Sequence, residues 1–535
     1  RHTAYFGVGV LSETSLGASW SRNYADAYLS MPGGRVRVNS DFDDGTSGVQ
    51  MLSFGGSQSL NNASTSVGAQ AMNQLSWFST NNRHRLKLTS ELRYDGVAQD
   101  MTSNLLGTFT YNSLADLAAG QPAQFTRQLT RLERDVGQVG ASVSLGDSWR
   151  GSSNFQLQYG VRLDGNHFLD SPAYNPDVET TFGVRNDHVP NKLYTSPRVG
   201  FSWSYGRAQA IGAFQGAALG PRAVVRGGIG LFQNTPAVNQ ITSALDNTGL
   251  PSGVQQLTCI GAATPIPDWT AYRSAAGSIP DRCADGTTGT VFSDASPNVN
   301  LFANDYVAPR SVRSNLQWSG PILGNRFSTT IDGTYSLNLN QGGFVDLNFD
   351  PQQRFALRDE GGRPVFVDPG SIVPSTGVIA SRDGRVSPLF SRVTEQRSDL
   401  RSVSRQISLS LAPANYSTRF TWNASYVYSN VREQYRGFSS TVANPFDVAW
   451  GRASFDSRHQ IVYSLGYNFW DAIRVSWFGQ FRSGQPFTPI IAGDVNGDGY
   501  SNDRAFIFDP KVSSGDASVA AEMQQLLTSG SPAAR

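Results

Sequence analysis

The chain has 535 residues with 43 basic and 42 acidic side chains, so its formal charge is +1. That balance gives no electrostatic reason to expect nucleic acid or an acidic substrate as a partner. Length alone suits two to four soluble domains unless one large β-structure takes up the chain, and no run reaches the roughly 18–20 apolar residues of a membrane helix.

The first residues, RHTAYFGVGV, already alternate like a strand, and no basic and apolar leader precedes them. SWSRNYADAY, 19–28, reads as a short connection. NSDFDDG, Asn39 to Gly45, reads as an acidic solvated turn, and the adjacent Asp43 and Asp44 are too ordinary a loop pair to nominate a hydrolase. The next run is long. Leu86, Leu88, Leu92 and Tyr94 share one face, against Arg85, Lys87, Glu91 and Arg93 on the other. SLADLAAG follows with a Ser113-x-x-Asp116 helix start.

Alternation then dominates the chain. Phe155, Leu157, Tyr159, Val161 and Leu163 form one stripe, and Val199, Phe201, Trp203 and Tyr205 another. RGGIGLFQ, 226–233, is Gly-rich but sits within a strand pattern and leads to no helix, which argues against a phosphate loop. Residues 235–311 are irregular and hold both cysteines, Cys259 and Cys283. They are either two incidental thiols or a loop-closing disulfide formed in an oxidising compartment; their proximity, with no histidine beside them, favours the disulfide. A second long loop, rich in Asp, Arg, Gly and Pro, spans 350–400.

Three aromatic strands come next. Phe420, Trp422, Ala424, Tyr426 and Tyr428 share a face, then Ile461, Tyr463, Leu465, Tyr467 and Phe469, then Ile473, Val475, Trp477 and Phe481. A short connection around Trp470 to Ala472 joins the last two. DVNGDGYSNDR, Asp494 to Arg504, places Asp494, Asn496 and Asp498 at positions 1, 3 and 5 of a calcium loop with Gly499 at position 6. Position 12 is Ala505 where a closing Glu belongs. Two readings fit: a calcium site using Asp494, Asn496, Asp498, the Tyr500 carbonyl and Asp503, or an Asx-rich turn bonded to itself. The last patterned stretch, DASVAAEMQQLLTS, puts Val519, Met523 and Leu526 on a helical stripe.

Run length separates the architectures. Soluble sandwiches use strands of about 5–6 residues, whereas these runs reach about ten, enough to cross a bilayer as tilted strands. Charged faces suit an aqueous lumen and Trp, Tyr and Phe faces suit lipid and its interfaces. The expected fold is all-β: an incomplete antiparallel transmembrane β-barrel of about fifteen strands with short turns at one end and long extracellular loops at the other.

GTFTYNSLADLAAGQPAQFTR, DSWRGSSNFQLQYGVRLDGN, SPRVGFSW and RGGIGLFQNTPAV resemble the barrel of TonB-dependent outer-membrane receptors. SRHQIVYSLGY followed by FRSGQPFTPIIAGDVNGDGYSNDRAF, and the CIGAATPIPDW…YRSAAGSIPDRC loop, look like the Oar-like branch, whose members often carry a carboxypeptidase-regulatory-like domain. The resemblance implies a barrel of about twenty-two strands in a Gram-negative-type cell outer membrane. It also implies uptake of an extracellular ligand energised by the TonB complex through a plug, and neither plug nor C-terminal strands are found in these residues.

The alternative in a different class is a non-transporting barrel that displays loops for adhesion. A soluble propeller would require repeats of about 40–50 residues, and none is seen. His2, His84, His167, His188 and His459 are dispersed without metal spacing, and no nucleophile elbow or nucleotide loop appears, so nothing nominates an enzyme. His84 and His459 start strands, where an interfacial ring is the expected role.

Overall fold

The structure is a computed structural model. It describes residues 1–528 except 8, 42, 44, 46, 60–61, 101, 132, 208–220, 251–255, 287–295, 325, 373–378, 380, 415–418, 440–442, 471, 492 and 512–516. Asp44 of the acidic pair therefore lies outside the described residues.

Fourteen strands form the main path of one sheet: β1 (His2–Phe6), β2 (Val10–Ala25), β3 (Asn62–Phe78), β4 (His84–Asp100), β5 (Glu133–Arg150), β6 (Phe155–Phe168), β7 (Leu193–Arg207), β8 (Pro221–Gln233), β9 (Arg310–Ile322), β10 (Phe327–Asp346), β11 (Val393–Pro413), β12 (Phe420–Arg436), β13 (His459–Phe469) and β14 (Ile473–Arg482). Each pairs antiparallel with the next. Val299–Phe302 and Val448–Arg452 join this sheet off the path, along β11 and β12. Among the described residues β1 and β14 do not pair, so the sheet is open. β10 and β11 reach 20 and 21 residues, well past the 9–11 that cross a bilayer, so their loop ends stand clear of the apolar layer.

Alternation sets the two faces. Across β3 to β6 the register aligns Leu75, Leu88, Leu145 and Val161 in one row, and all four are exposed. The opposite face carries Glu91, Arg93, Arg162 and Asp164. Glu91 accepts from Gln70 at 2.7 Å and pairs with Arg162 at 3.4 Å, and Arg162 pairs with Asp164 at 2.7 Å. Apolar side chains outside and an ion-pair network inside invert a soluble protein, as a membrane barrel requires.

Apart from the 13-residue link 208–220, which lies outside the described residues, connections obey the same logic. Links at 79–83, 151–154, 323–326, 414–419 and 470–472 are short, and those at 26–61, 101–132, 169–192, 234–309, 347–392 and 437–458 are long and lie at the other end. SWSRNYADAY is not a turn: Ser19 to Ala25 continue β2 before a long loop begins. Trp20, Arg22 and Tyr24 share one face of this strand, and the arginine between the two aromatics interrupts the apolar stripe that would have announced it. The loop expected over 350–400 ends earlier, because Val393 already opens β11. Asn39 to Asp41 are likewise strand and not turn, closing the segment Gly33–Asp41.

Most of the fully buried apolar side chains lie in the loops. Gly33–Asp41, Ser47–Gly55, Thr108–Tyr111, Gln124–Gln128 and Gln256–Ile260, drawn from three loops, build a second, five-stranded sheet. Phe109, Tyr111, Phe125, Leu257 and Tyr272 pack beneath it, with the Phe109 and Phe125 rings 4.3 Å apart. Cys259 and Cys283, 24 residues apart, are joined as a disulfide within this core. Arg127 donates to the carbonyls of Ile279 and Pro280 at 2.7 and 2.9 Å, tying the closed loop back to the sheet. Closing a loop of that size restricts the unfolded segment by about 3 kcal/mol. Cys259→Ser/Cys283→Ser is therefore expected to make 256–284 cleavable by protease while the membrane strands keep their protection.

Candidate functional site

Two features at the loop end could meet a ligand. The first is the mouth of the inner wall, where Glu91, Arg93, Arg162, Asp164 and Tyr194 face the incoming segment 233–236 around a cavity of about 60 Å³. The loop after β8 folds against this wall: Arg134 of β5 pairs with Asp246, and Phe168 packs with Ile241, Ala244, Phe302 and Tyr306. A second cavity, about 550 Å³, lies between 303–305 and the loop ends of β9 to β11, where Asp305, Glu395 and Asp399 mix with Arg310, Arg397 and Arg401. Interspersed charges of both signs and short amides make a polar, hydrogen-bonding surface without a dominant sign.

The second feature is the stretch Asp494 to Arg504. It is not an exposed tip: Asn496, Asp498 and Asp503 are buried. Asp494 accepts from the amides of Gly497 and Gly499 at 2.7 and 2.8 Å. Asn496 accepts from the Asp498 amide at 2.9 Å, and Asp498 from that of Tyr500 at 2.8 Å. Gly497 adopts φ +78°, and a Cβ there would sit 2.8 Å from a Val367 methyl, so only glycine fits.

Two neighbouring loops converge on it. Arg363, 2% exposed, donates to Asp503 at 3.1 Å, to Glu360 at 2.6 Å and to the Arg504 carbonyl at 2.5 Å. The Phe366 amide donates to the Asn496 carbonyl at 2.8 Å, and Arg392 donates to the Gly499 carbonyl. Asn502 donates to the carbonyls of Gly437 and Phe438 at 3.2 and 2.7 Å. Tyr500 packs on Phe344 and Phe438 within the core of Val345, Phe349, Phe366 and Phe438. The stretch is a clasp joining the loops after β10, β12 and β14.

The structure brings Asp494, Asn496, Asp498, Tyr500 and Asp503 together, each with hydrogen bonds inside or beside the loop. Among the described residues no three His, Cys, Asp or Glu side chains stand in a metal-holding group. Burial, and then the nearby Asp494 carboxylate, push the Asp498 carboxyl up to about 7; burial also raises Asp494. With the folded value above the unfolded one, the docked loop holds its proton more tightly than the free loop. Its stability is therefore lost as pH rises from about 4 to about 7 and is level above that, a drop of a few kcal/mol. In chelator, hydrogen exchange of 494–504 is expected to be slower at pH 5 than at pH 8 after correction for intrinsic rates, and Asp498→Asn should reduce the difference, leaving the smaller part that Asp494 contributes.

Two histidine positions gained partners that spacing did not reveal. His84 Nδ1 lies 2.7 Å from a buried Asp147 carboxylate on the outer face near the short-turn end, and the Tyr159 hydroxyl donates to the same carboxylate at 3.0 Å. His459 Nδ1 lies 2.8 Å from the Tyr426 hydroxyl. Both contacts join side chains on adjacent outer-face rows, which the alternation of β4, β5, β6 and β12 could have indicated.

Comparison with known proteins places this geometry. Residues 2–525 match the family model of an outer membrane beta barrel domain. The outer membrane transporter YddB from Escherichia coli superposes with a TM-score of 0.53 at 12% identity, over 94% of this chain and 52% of YddB. The FrpB iron transporter from Neisseria meningitidis gives a TM-score of 0.42 at 9% identity, over 89% and 50%. The ferric enterobactin receptor PfeA from Pseudomonas aeruginosa gives 0.41 at 11%, over 94% and 51%. The chain thus spans about half the length of these structures. No curated protein sequence matches it.

Proposed function

Because the chain belongs to the outer membrane beta-barrel domain family, we propose that it is the barrel of a receptor that takes up an extracellular ligand by TonB-energised transport. The Oar-like branch is the part of that group its motifs fit. The observation that carries the reading is the ordered loop cap. Long loops from neighbouring strand pairs share buried cores above a polar, ion-paired inner wall, an arrangement suited to capturing a solute outside and passing it along an aqueous lumen. The structural likeness to an outer membrane transporter supports the fold on which this rests.

The test uses cells carrying the whole gene. Mass spectrometry of spent medium should show one solute class depleted, and deletion of the TonB system should stop the depletion while surface binding persists. Binding to other cells or surfaces with no energised depletion supports the adhesion alternative instead.

Calcium at Asp494, Asn496, Asp498, the Tyr500 carbonyl and Asp503 is a separate proposal, supported by the ligand spacing and by extracellular calcium being plentiful. Calcium-dependent protease protection of 494–504 at pH 8 supports it. Equal protection in calcium and chelator removes it and leaves the self-bonded clasp.

A further inference from the structure

The outer face of β11 and β12 changes character abruptly. Register sets Leu409 beside Tyr426 and Ile407 beside Tyr428, and Leu409, Ile407 and Tyr426 are exposed in the apolar belt. The next two outward rows are Tyr335–Arg405–Asn430 and Leu337–Val403–Arg432. Trp450, on the short strand beside β12, faces the following row opposite Gln434, and Arg432 reaches its carbonyl at 3.5 Å. Val403, Arg405, Asn430, Arg432 and Trp450 line a groove of about 410 Å³.

Among the described residues this groove holds two exposed guanidiniums and no carboxylate. Arg405 and Arg432 form no ion pair among the described residues, in contrast to the paired arginines of the inner wall. Their level is informative. Arg405 lies 8 residues (413 − 405) from the short-turn end of β11, roughly 20 Å up a strand tilted by about 40°. The apolar band of a barrel is about 25 Å tall, so the pair sits where acyl chains give way to headgroups. Arginine forks match phosphate oxygens in pairs, and an exposed tryptophan ring suits the same interfacial depth.

We propose that this groove binds the phosphate headgroup of an outer-leaflet lipid, whose acyl chains lie on Ile407, Leu409, Tyr426 and Tyr428. The belt continuous with the groove commits it to a lipid: a free anion would use the arginines alone, and a protein partner would have to displace the lipid that the belt requires. The site is independent of the uptake reading, since it faces away from the lumen.

Native mass spectrometry of the full-length protein in detergent tests it, with dipalmitoyl phosphatidic acid and dipalmitoyl phosphatidylcholine as probes at equal concentration. The expected result is about tenfold more phosphatidic acid retained, the size of one good charged hydrogen bond. Arg405→Gln/Arg432→Gln should reduce the ratio to about one, Arg405→Lys/Arg432→Lys should keep part of it, and Arg273→Gln, on an exposed loop helix, should not change it. Equal retention of the two lipids by the unaltered protein overturns the proposal, as does full preference in the Gln double variant. Displacement of phosphatidic acid by excess inorganic phosphate overturns the lipid source and marks a free-anion site. If the Gln variant fails to fold, the unaltered protein decides: its preference must also weaken at high salt, and a salt-independent preference overturns the arginine assignment.

Discussion

Arg363→Ala is expected to open the clasp that joins the loops after β10, β12 and β14. The guanidinium is 2% exposed and Asp503 is 0% exposed, so truncation leaves a carboxylate out of contact with water and without its cation. Removing one partner of such a buried pair costs about 3–5 kcal/mol. The loss should be local, because no barrel strand contributes to the pair. Hydrogen exchange should rise across 355–370 and 490–505 while the amides of β5 and β6 stay protected. Arg363→Lys should recover only part, since a single ammonium cannot serve Asp503, Glu360 and the Arg504 carbonyl at once. Arg363→Ala/Asp503→Asn should be milder than Arg363→Ala alone, because the orphaned charge is gone.

Leu145→Arg has the second-largest expected effect. Leu145 lies in the exposed row with Leu75, Leu88 and Val161, 5 residues (150 − 145) from the short-turn end of β5. That places it near the middle of the apolar band, where an arginine on the lipid face costs about 2–4 kcal/mol. Ser144→Arg, one residue away on the lumen face, should cost less than 1 kcal/mol, because water solvates the new charge. Unfolding of the reconstituted barrel in guanidinium measures both. Equal costs would mean that the two faces meet the same solvent.

The barrel strands were legible because each carries its own evidence. In β4 and β6 the alternation of Leu and Tyr with Arg, Glu and Asp needs no knowledge of neighbours. The loop sheet was not legible, since its signal is non-local. Gly33–Asp41 is held on one side by Thr108–Tyr111, some 75 residues further on, and Gln124–Gln128 by Gln256–Ile260, more than 125 residues further on, and such short strands are indistinguishable from loop without those partners. The clasp was half legible. Asp494, Asn496, Gly497 and Gly499 announce a tight Asx-rich turn. Its burial depends on Arg363, 140 positions away, and on Phe438 and Tyr500, which no spacing rule connects. Helices at Leu114–Ala118 and Ala517–Thr528 appear where the capping residue Ser113 and the apolar stripe placed them.

Spin labels placed singly at 141–146 of the full-length protein in bilayers give the most direct test of a lipid-facing and a water-facing side on every strand. The expected result is a period-two pattern: oxygen relaxes Ala141, Val143 and Leu145 more strongly, and a water-soluble nickel chelate favours Ser142 and Ser144. Nickel access at Val143 and Leu145 equal to that at Ser142 and Ser144, with no oxygen preference, would contradict the membrane barrel.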